Sequence, residues 1–492
     1  MEHLWKQNLR QIEPYVPGEQ SSDPDRIKLN ANENPYPPAP GVEAVLRSYD
    51  PAALCLYPDA NARLLKASIA RHYGVAPEQV FVGNGSDDVL ALAFQSFFNS
   101  DKPIAFPDIT YSFYPVWCRL FHIPFVTHPL TADFRMDPAD YAAPNGGVVL
   151  PNPNAPTSIG EDLPFVQALL EGNRDAVVII DEAYADFGGV SAVPLLADYP
   201  NLLVCGTFSK SRSLAGLRLG FAIGGAELIG VLEAVKNSYN SYTVDNLSLL
   251  CGAAAMDDEA YFAKTTAAVI TTRERVRRAL EQMGFSVLPS RTNFLFATKD
   301  GASMRELFLY LKQRHIYIRY FDLPRIDNYV RITIGTDAQM DAFLQGTEAF
   351  LRGKVALIFL YFIGAIQLVA GVYTQLVGLF HWDFMSLFPV VEMGTQQILY
   401  LNLLAVFLVT TLIHIVVAAL VNDGSYGPID VLQACPPLTV VVPLVLFGIS
   451  IYTTLGATSA GERVFCLAVS ALYILACYIS VGCIAAVRDM ED

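Results

Sequence analysis

Along residues 1–353 short, wholly apolar runs alternate with amphipathic stretches. Gly146–Leu150 (GGVVL), Ala176–Ile180 (AVVII) and Leu202–Cys205 (LLVC) read as buried strands, each followed by a loop of Pro, Asn, Ser or Asp. Leu163–Leu170 lies between two of them with the apolar spacing of a helix, and a shorter run, Val80–Val82, precedes a helical pattern over Val89–Phe97. Continuous apolar strands alternating with helices predict an α/β domain with a largely parallel sheet. Ligands of such sheets sit beyond the carboxyl ends of the strands.

Beyond residue 353 the pattern changes. Four stretches lack Asp, Glu, Lys and Arg: 28 residues between Lys354 and Asp383, 30 between Glu392 and Asp423, 31 between Asp430 and Glu462, and 24 between Arg463 and Arg488. About 20 apolar residues span the hydrocarbon core as a helix, the form that satisfies its own backbone in lipid. The expectation is an all-α membrane region over 354–492, with spans near 355–379, 397–421, 438–457 and 464–487. Arg352 and Lys354 flank the first span and Arg488 the last, whereas Arg463 falls on the other side. That balance places both ends of the region in the cytoplasm.

Composition sharpens this division. The 492-residue chain is 53% hydrophobic and 16% charged, with a formal net charge of −15, which excludes disorder and argues against general nucleic-acid binding. Eight scattered cysteines form no CxxC pair and no zinc spacing, so no metal is expected and the thiols read as free. Met1–Tyr15 has no apolar signal core.

The loops after the three strands carry the chemistry. After AVVII comes Asp181-Glu182-Ala183-Tyr184; after LLVC comes Gly206–Gly220 (GTFSKSRSLAGLRLG); after GGVVL comes Pro151–Thr157 (PNPNAPT). An acid there can hold a pyridinium nitrogen, Lys210 can condense with an aldehyde, and hydroxyls with Arg218 can hold a phosphate. Those are the needs of pyridoxal 5'-phosphate. Gly85-Ser86-Asp87-Asp88, between a strand and a helix, adds a helix N-terminus suited to phosphate.

These motifs resemble fold-type I pyridoxal-phosphate enzymes, and among them the histidinol-phosphate aminotransferases. Leu29–Tyr36 (LNANENPY), Tyr57-Pro58-Asp59, Gly83–Asp88, Tyr111–Tyr114 (YSFY) and Arg331–Thr336 (RITIGT) occur in that family's order over residues about 5–350. The resemblance implies a large domain over about 40–245, a small α+β domain made from both ends of 1–353, and a homodimer. It assigns Lys210, Asp181 and Tyr184 to catalysis, Tyr184 through the cofactor's phenolic oxygen. The phosphate falls to Ser86, the Asp87 amide, Thr207, Ser209 and Arg218. Tyr111 stacks on the pyridine ring, and Tyr57 reaches the neighbouring subunit's cofactor. Arg331, with Arg319 as a second, takes the substrate's acidic group, and Tyr15 closes over it. The Asn/Pro loop departs from the family pattern: Ala155 stands where an Asn is usual and Ser158 where a Gly is usual, leaving Asn154 as the substitute.

The activity so implied moves an amino group between histidinol phosphate and 2-oxoglutarate, in a ping-pong cycle. A threonine-phosphate decarboxylase-like enzyme and an aromatic amino-acid aminotransferase are same-fold alternatives. A transporter or scaffold carrying an idle enzyme domain is one of another class. The junction at Phe350–Lys354 reads either as a fusion that anchors the enzyme at the membrane, facing the cytoplasm, or as a joined reading frame that leaves a cytoplasmic enzyme.

Overall fold

The computed structural model describes residues 4–15, 19, 22–142 and 144–352. The four expected spans lie outside the described residues; among the described residues no helix is long and apolar enough to cross a membrane. The described residues up to Leu344 form one compact unit.

The strands, in chain order, are β1 (Ile27–Lys28), β2 (Val80–Gly83), β3 (Ile104–Pro107), β4 (Phe125–His128), β5 (Gly147–Pro151), β6 (Val178–Asp181), β7 (Leu202–Thr207), β8 (Gly220–Gly224), β9 (Ser286–Val287), β10 (Phe294–Thr298), β11 (Ile316–Tyr317), β12 (Arg319–Tyr320) and β13 (Val330–Thr333). The helices are α1 (Pro40–Ser48), α2 (Arg63–Tyr73), α3 (Ser86–Phe97), α4 (Phe113–Phe121), α5 (Leu163–Glu171), α6 (Ala226–Tyr239), α7 (Asn246–Asp257), α8 (Glu259–Gln282) and α9 (Met304–Gln313). A seven-stranded sheet in the order β2-β8-β7-β6-β5-β3-β4 is the centre of the unit. Its β7-β6-β5-β3-β4 part is parallel, and β8 runs antiparallel to both of its neighbours. A four-stranded antiparallel sheet, β12-β13-β10-β9, and the parallel pair β1-β11 make the smaller layer.

The central strands are buried on both faces because alternate residues point to opposite sides. Val148, Leu150, Ile180 and Val204 join one apolar core; Val149, Ile179, Leu203 and Cys205 join the other. Two boundaries differ from the sequence expectation. Asp181 is the last residue of β6, not the first of a loop, because its backbone continues the ladder opposite Pro151 and Cys205. Helix α3 begins at Ser86 rather than Val89, because Gly85 at φ +88° turns the chain straight from β2 into the helix.

Candidate active site

Asp181 ends β6 inside the unit and is 5% exposed. Tyr114 Oη donates to its Oδ2 at 2.9 Å, and the Ala183 amide donates to Oδ1 at 3.1 Å. Burial pushes this carboxyl up to about 6, against the pull of those two hydrogen bonds. Its neighbour Glu182, also buried, accepts from the Ala192 amide at 2.6 Å; desolvation pushes it up to about 8.

Lys210 lies in the turn after β7. Its Nζ donates to the Ala31 carbonyl at 3.3 Å and sits 5.7 Å from the centre of the Tyr184 ring. The turn is clamped from several sides. Asn34 Nδ2 donates to the carbonyls of Lys210 and Ser211 at 3.0 and 3.3 Å, and Ser211 Oγ donates to Asp186 at 2.5 Å. Arg212 is buried, donates to the Ala255 carbonyl at 3.0 Å and lies 3.7 Å over the Phe262 ring. A lysine on so fixed a backbone keeps its mobility in its side chain.

The start of α3 meets the β7–β8 turn. A Cβ on Gly85 would come within 2.7 Å of the Arg218 guanidinium, and one on Gly220 within 2.3 Å of the Ser86 amide nitrogen. Both glycines therefore permit a close approach of backbone and cation that a side chain would block. Arg218 Nη2 pairs with Asp87 at 3.1 Å, and Tyr111 Oη donates to the same carboxylate at 2.7 Å. Thr207 Oγ1 accepts from the Ser209 amide at 3.1 Å and donates to the Leu219 carbonyl at 3.4 Å. The helix N-terminus, its free amides and one guanidinium thus face one place, an arrangement suited to a dianion.

Across from these groups, Arg331 of β13 is packed between the rings of Phe294 and Phe321, at 5.4 and 5.6 Å. Its Nη2 donates to the Asn30 carbonyl at 2.8 Å, while its buried Nε has no partner. Burial pulls its pKa below the usual value. Arg319 is opposite Arg331 in the β12–β13 register, with its guanidinium 5.5 Å over Phe321. Tyr15 stacks on Phe113 at 4.1 Å.

Direct contacts thus join Asp87, Tyr111 and Arg218, and a further one places Lys210 over Tyr184. Tyr57 is 81% exposed and stacks on Tyr242 at 4.5 Å. Asn154 is buried and uses its amide hydrogens on the Ile109 carbonyl and Thr157 Oγ1, both at 3.0 Å, while its oxygen accepts from Thr110. It ties two loops together. The Ala155–Pro156 bond, which sequence leaves open, is cis, as is Asn152–Pro153. Sequence reasoning assigned no role to Tyr114, Asn32, Asn34 or Glu182. Tyr114 and the two asparagines lie in motifs that were singled out, but nothing in the residue type says which atom each one touches.

Comparison with known proteins gives the family. The family "Aminotransferase class I and II" matches residues 24–346. A histidinol-phosphate aminotransferase of Chromohalobacter salexigens is 51% identical over 352 residues, covering 72% of this chain and all of that protein. One from Dechloromonas aromatica is 52% identical over 346 residues, 70% of this chain and 97% of its own length. Among solved structures, the histidinol-phosphate aminotransferase of Sinorhizobium meliloti in complex with pyridoxal-5'-phosphate superposes with a TM-score of 0.59 at 25% identity, over 65% of this chain and 91% of that one. That of Clostridium acetobutylicum, at 21% identity and TM-score 0.60, covers 65% of this chain and 97% of its own, and shares the fold.

Proposed function

The chain belongs to the class I and II aminotransferases and, among them, to the histidinol-phosphate aminotransferases, and on that premise we propose how its residues divide the work of moving an amino group between histidinol phosphate and 2-oxoglutarate. The observation that carries the reading is a pair of contact sets, Asp87 with Tyr111 and Arg218 at the start of α3 and Lys210 over Tyr184, in a chain half identical to such enzymes along their whole length.

The residues fit pyridoxal phosphate. The glycine-lined approach of Arg218 to the α3 N-terminus suits its phosphate, and the buried acid at the end of β6 suits its ring nitrogen. Bound there, the cofactor supplies an aldehyde for the substrate amine and a ring that draws electrons from the bond being broken. Asp181 keeps the ring nitrogen protonated; the opposing charge draws the carboxyl back to its ionised form. Lys210 Nζ takes and returns the proton of the reacting carbon, its backbone carbonyl held by Asn34 and the next residue, Ser211, by Asp186. Ser86, the Asp87 amide, Thr207, Ser209 and Arg218 hold the phosphate, and Tyr111 covers the ring. Arg331, whose buried Nε has an unmet donor, takes the substrate's anionic group with help from Arg319, and Tyr15 closes the site.

Two wider readings accompany this one. The exposed Leu54, Leu56, Tyr57 and Tyr242 support a homodimer that shares its sites through Tyr57. The four charge-free stretches after Lys354 support a membrane anchor that keeps the enzyme at the cytoplasmic face. Sedimentation of full-length protein with membranes checks the anchor.

The test of the activity is the half-reaction. Purified protein loaded with pyridoxal phosphate should convert to its pyridoxamine form with histidinol phosphate, and return with 2-oxoglutarate. Conversion by phenylalanine or threonine phosphate but not histidinol phosphate would overturn the substrate assignment, and carbon dioxide release would indicate a decarboxylase.

A further inference from the structure

Asn32 is 1% exposed and belongs to neither the phosphate group nor the substrate group described above. Its φ of +55° lies in the left-handed region, which asparagine tolerates better than most residues. Four hydrogen bonds surround it. Its backbone amide donates to Thr333 Oγ1 at 3.0 Å; Thr333 Oγ1 lies 2.9 Å from its side-chain oxygen; its Nδ2 lies 2.9 Å from Tyr184 Oη. Asn293 Nδ2 donates to its carbonyl at 3.1 Å and fixes its backbone.

The direction of these bonds follows from counting donors and acceptors. Thr333 is 2% exposed, so its hydroxyl proton needs an acceptor inside the protein. The Asn32 side-chain oxygen is the one within reach, so the amide of Asn32 turns its oxygen to Thr333 and its NH2 to Tyr184. The Tyr184 oxygen is then an acceptor in that bond, and its proton is free to point elsewhere. We propose that Asn32, locked by Thr333, is a positioning residue that aims the Tyr184 hydroxyl proton at the cofactor's phenolic oxygen. The arrangement carries weight here because Ala155 replaces the family's usual asparagine and Asn154 uses its amide within the protein.

The inference rests on Tyr184 being a cofactor contact, and the test separates the two. A donor on the phenolic oxygen stabilises its negative charge, so losing it makes the bound chromophore hold its proton to higher pH. The measurement is the pH midpoint of the visible absorbance of the pyridoxal-phosphate-loaded protein. Asn32→Asp keeps the shape and tolerates the backbone, but its carboxylate would accept the Tyr184 proton. Its midpoint should rise by about 1 pH unit, as should that of Tyr184→Phe. Combining the two should add little to Tyr184→Phe alone, since both act through one proton; an additive rise would mean a plain charge effect and refute the proposal. Thr333→Val frees the amide to turn over and should also raise the midpoint, which keeps the test open if Asn32→Asp fails to fold. Unchanged midpoints for Asn32→Asp and Thr333→Val beside a raised one for Tyr184→Phe would overturn the role of Asn32. An unchanged midpoint for Tyr184→Phe would overturn the reading of Tyr184 itself.

Discussion

The two sides of the site are built differently. At the end of the seven-stranded sheet the polar groups are matched within the protein: Asp181 by Tyr114 and Ala183, Asp87 by Arg218 and Tyr111, and the Lys210 backbone by Asn34. On the small-sheet side Arg331 keeps a buried Nε without a partner between two aromatic rings. Matched groups hold a fixed shape, as a resident cofactor requires. An unmatched donor is costly until an anion arrives, which makes binding selective for one that brings it. A cofactor that stays and a substrate that comes and goes ask for these two designs.

Lys210→Ala attacks the matched side at its reactive centre. We expect transamination to fall by at least about a thousandfold, with the melting temperature nearly unchanged because the turn is held by its backbone and by Arg212. Single-turnover kinetics and a thermal melt check both halves. Asp181→Asn should slow the reaction about 100-fold or more and yet stabilise the cofactor-free protein. Its carboxyl is held near 6 in the fold against an ordinary 3.8. The folded protein therefore binds this proton more tightly, and its stability falls as pH rises from about 4 through 6. The loss is complete at neutral pH and amounts to about 3 kcal/mol. Melting curves of the apoprotein from pH 4 to 8 should show that slope in the parent and a flatter one in Asp181→Asn. A variant less stable than the parent at pH 7 would contradict the burial argument.

Arg331→Leu probes the other side. It should raise KM for histidinol phosphate about 10- to 100-fold, the worth of a charged hydrogen bond, while leaving pyridoxal-phosphate binding intact. Equal losses in cofactor and substrate affinity would erase the contrast between the sides. Ser158→Gly changes neither side directly. Ser158 sits at φ +70°, and relieving it should add about 1 kcal/mol of stability with no change in KM, measured by urea unfolding and steady-state kinetics.

Much of this was legible in the residues. The apolar runs gave β5, β6 and β7 to within a residue or two at most ends, because fully buried strands are continuous in sequence and punctuated by Pro, Asn and Ser. The loops after them named Asp181, Lys210 and Arg218 because the chemistry of an aldehyde cofactor needs those side chains. What could not be read is which group turns toward which. Tyr111 was expected to present its ring, and the fold also ties its hydroxyl to Asp87. Asn154 was expected to face the cofactor, and its amide bridges Ile109 and Thr157. Tyr114, beneath Asp181, looks like any core tyrosine in the sequence. Such contacts join residues far apart in the chain, as Asn32 joins Thr333, and local pattern carries no record of them. The membrane spans predicted after Lys354 rest on composition alone and lie beyond the described residues.

The central claim is that one amine, at the end of β7, carries the cofactor. Reducing the loaded protein with borohydride, digesting it and sequencing the modified peptide by mass spectrometry tests it directly. The pyridoxyl mass should sit on Lys210, in the tryptic peptide from Asp175 to Arg212. Label on another lysine, such as Lys236 or Lys66, or no label at all, would contradict it.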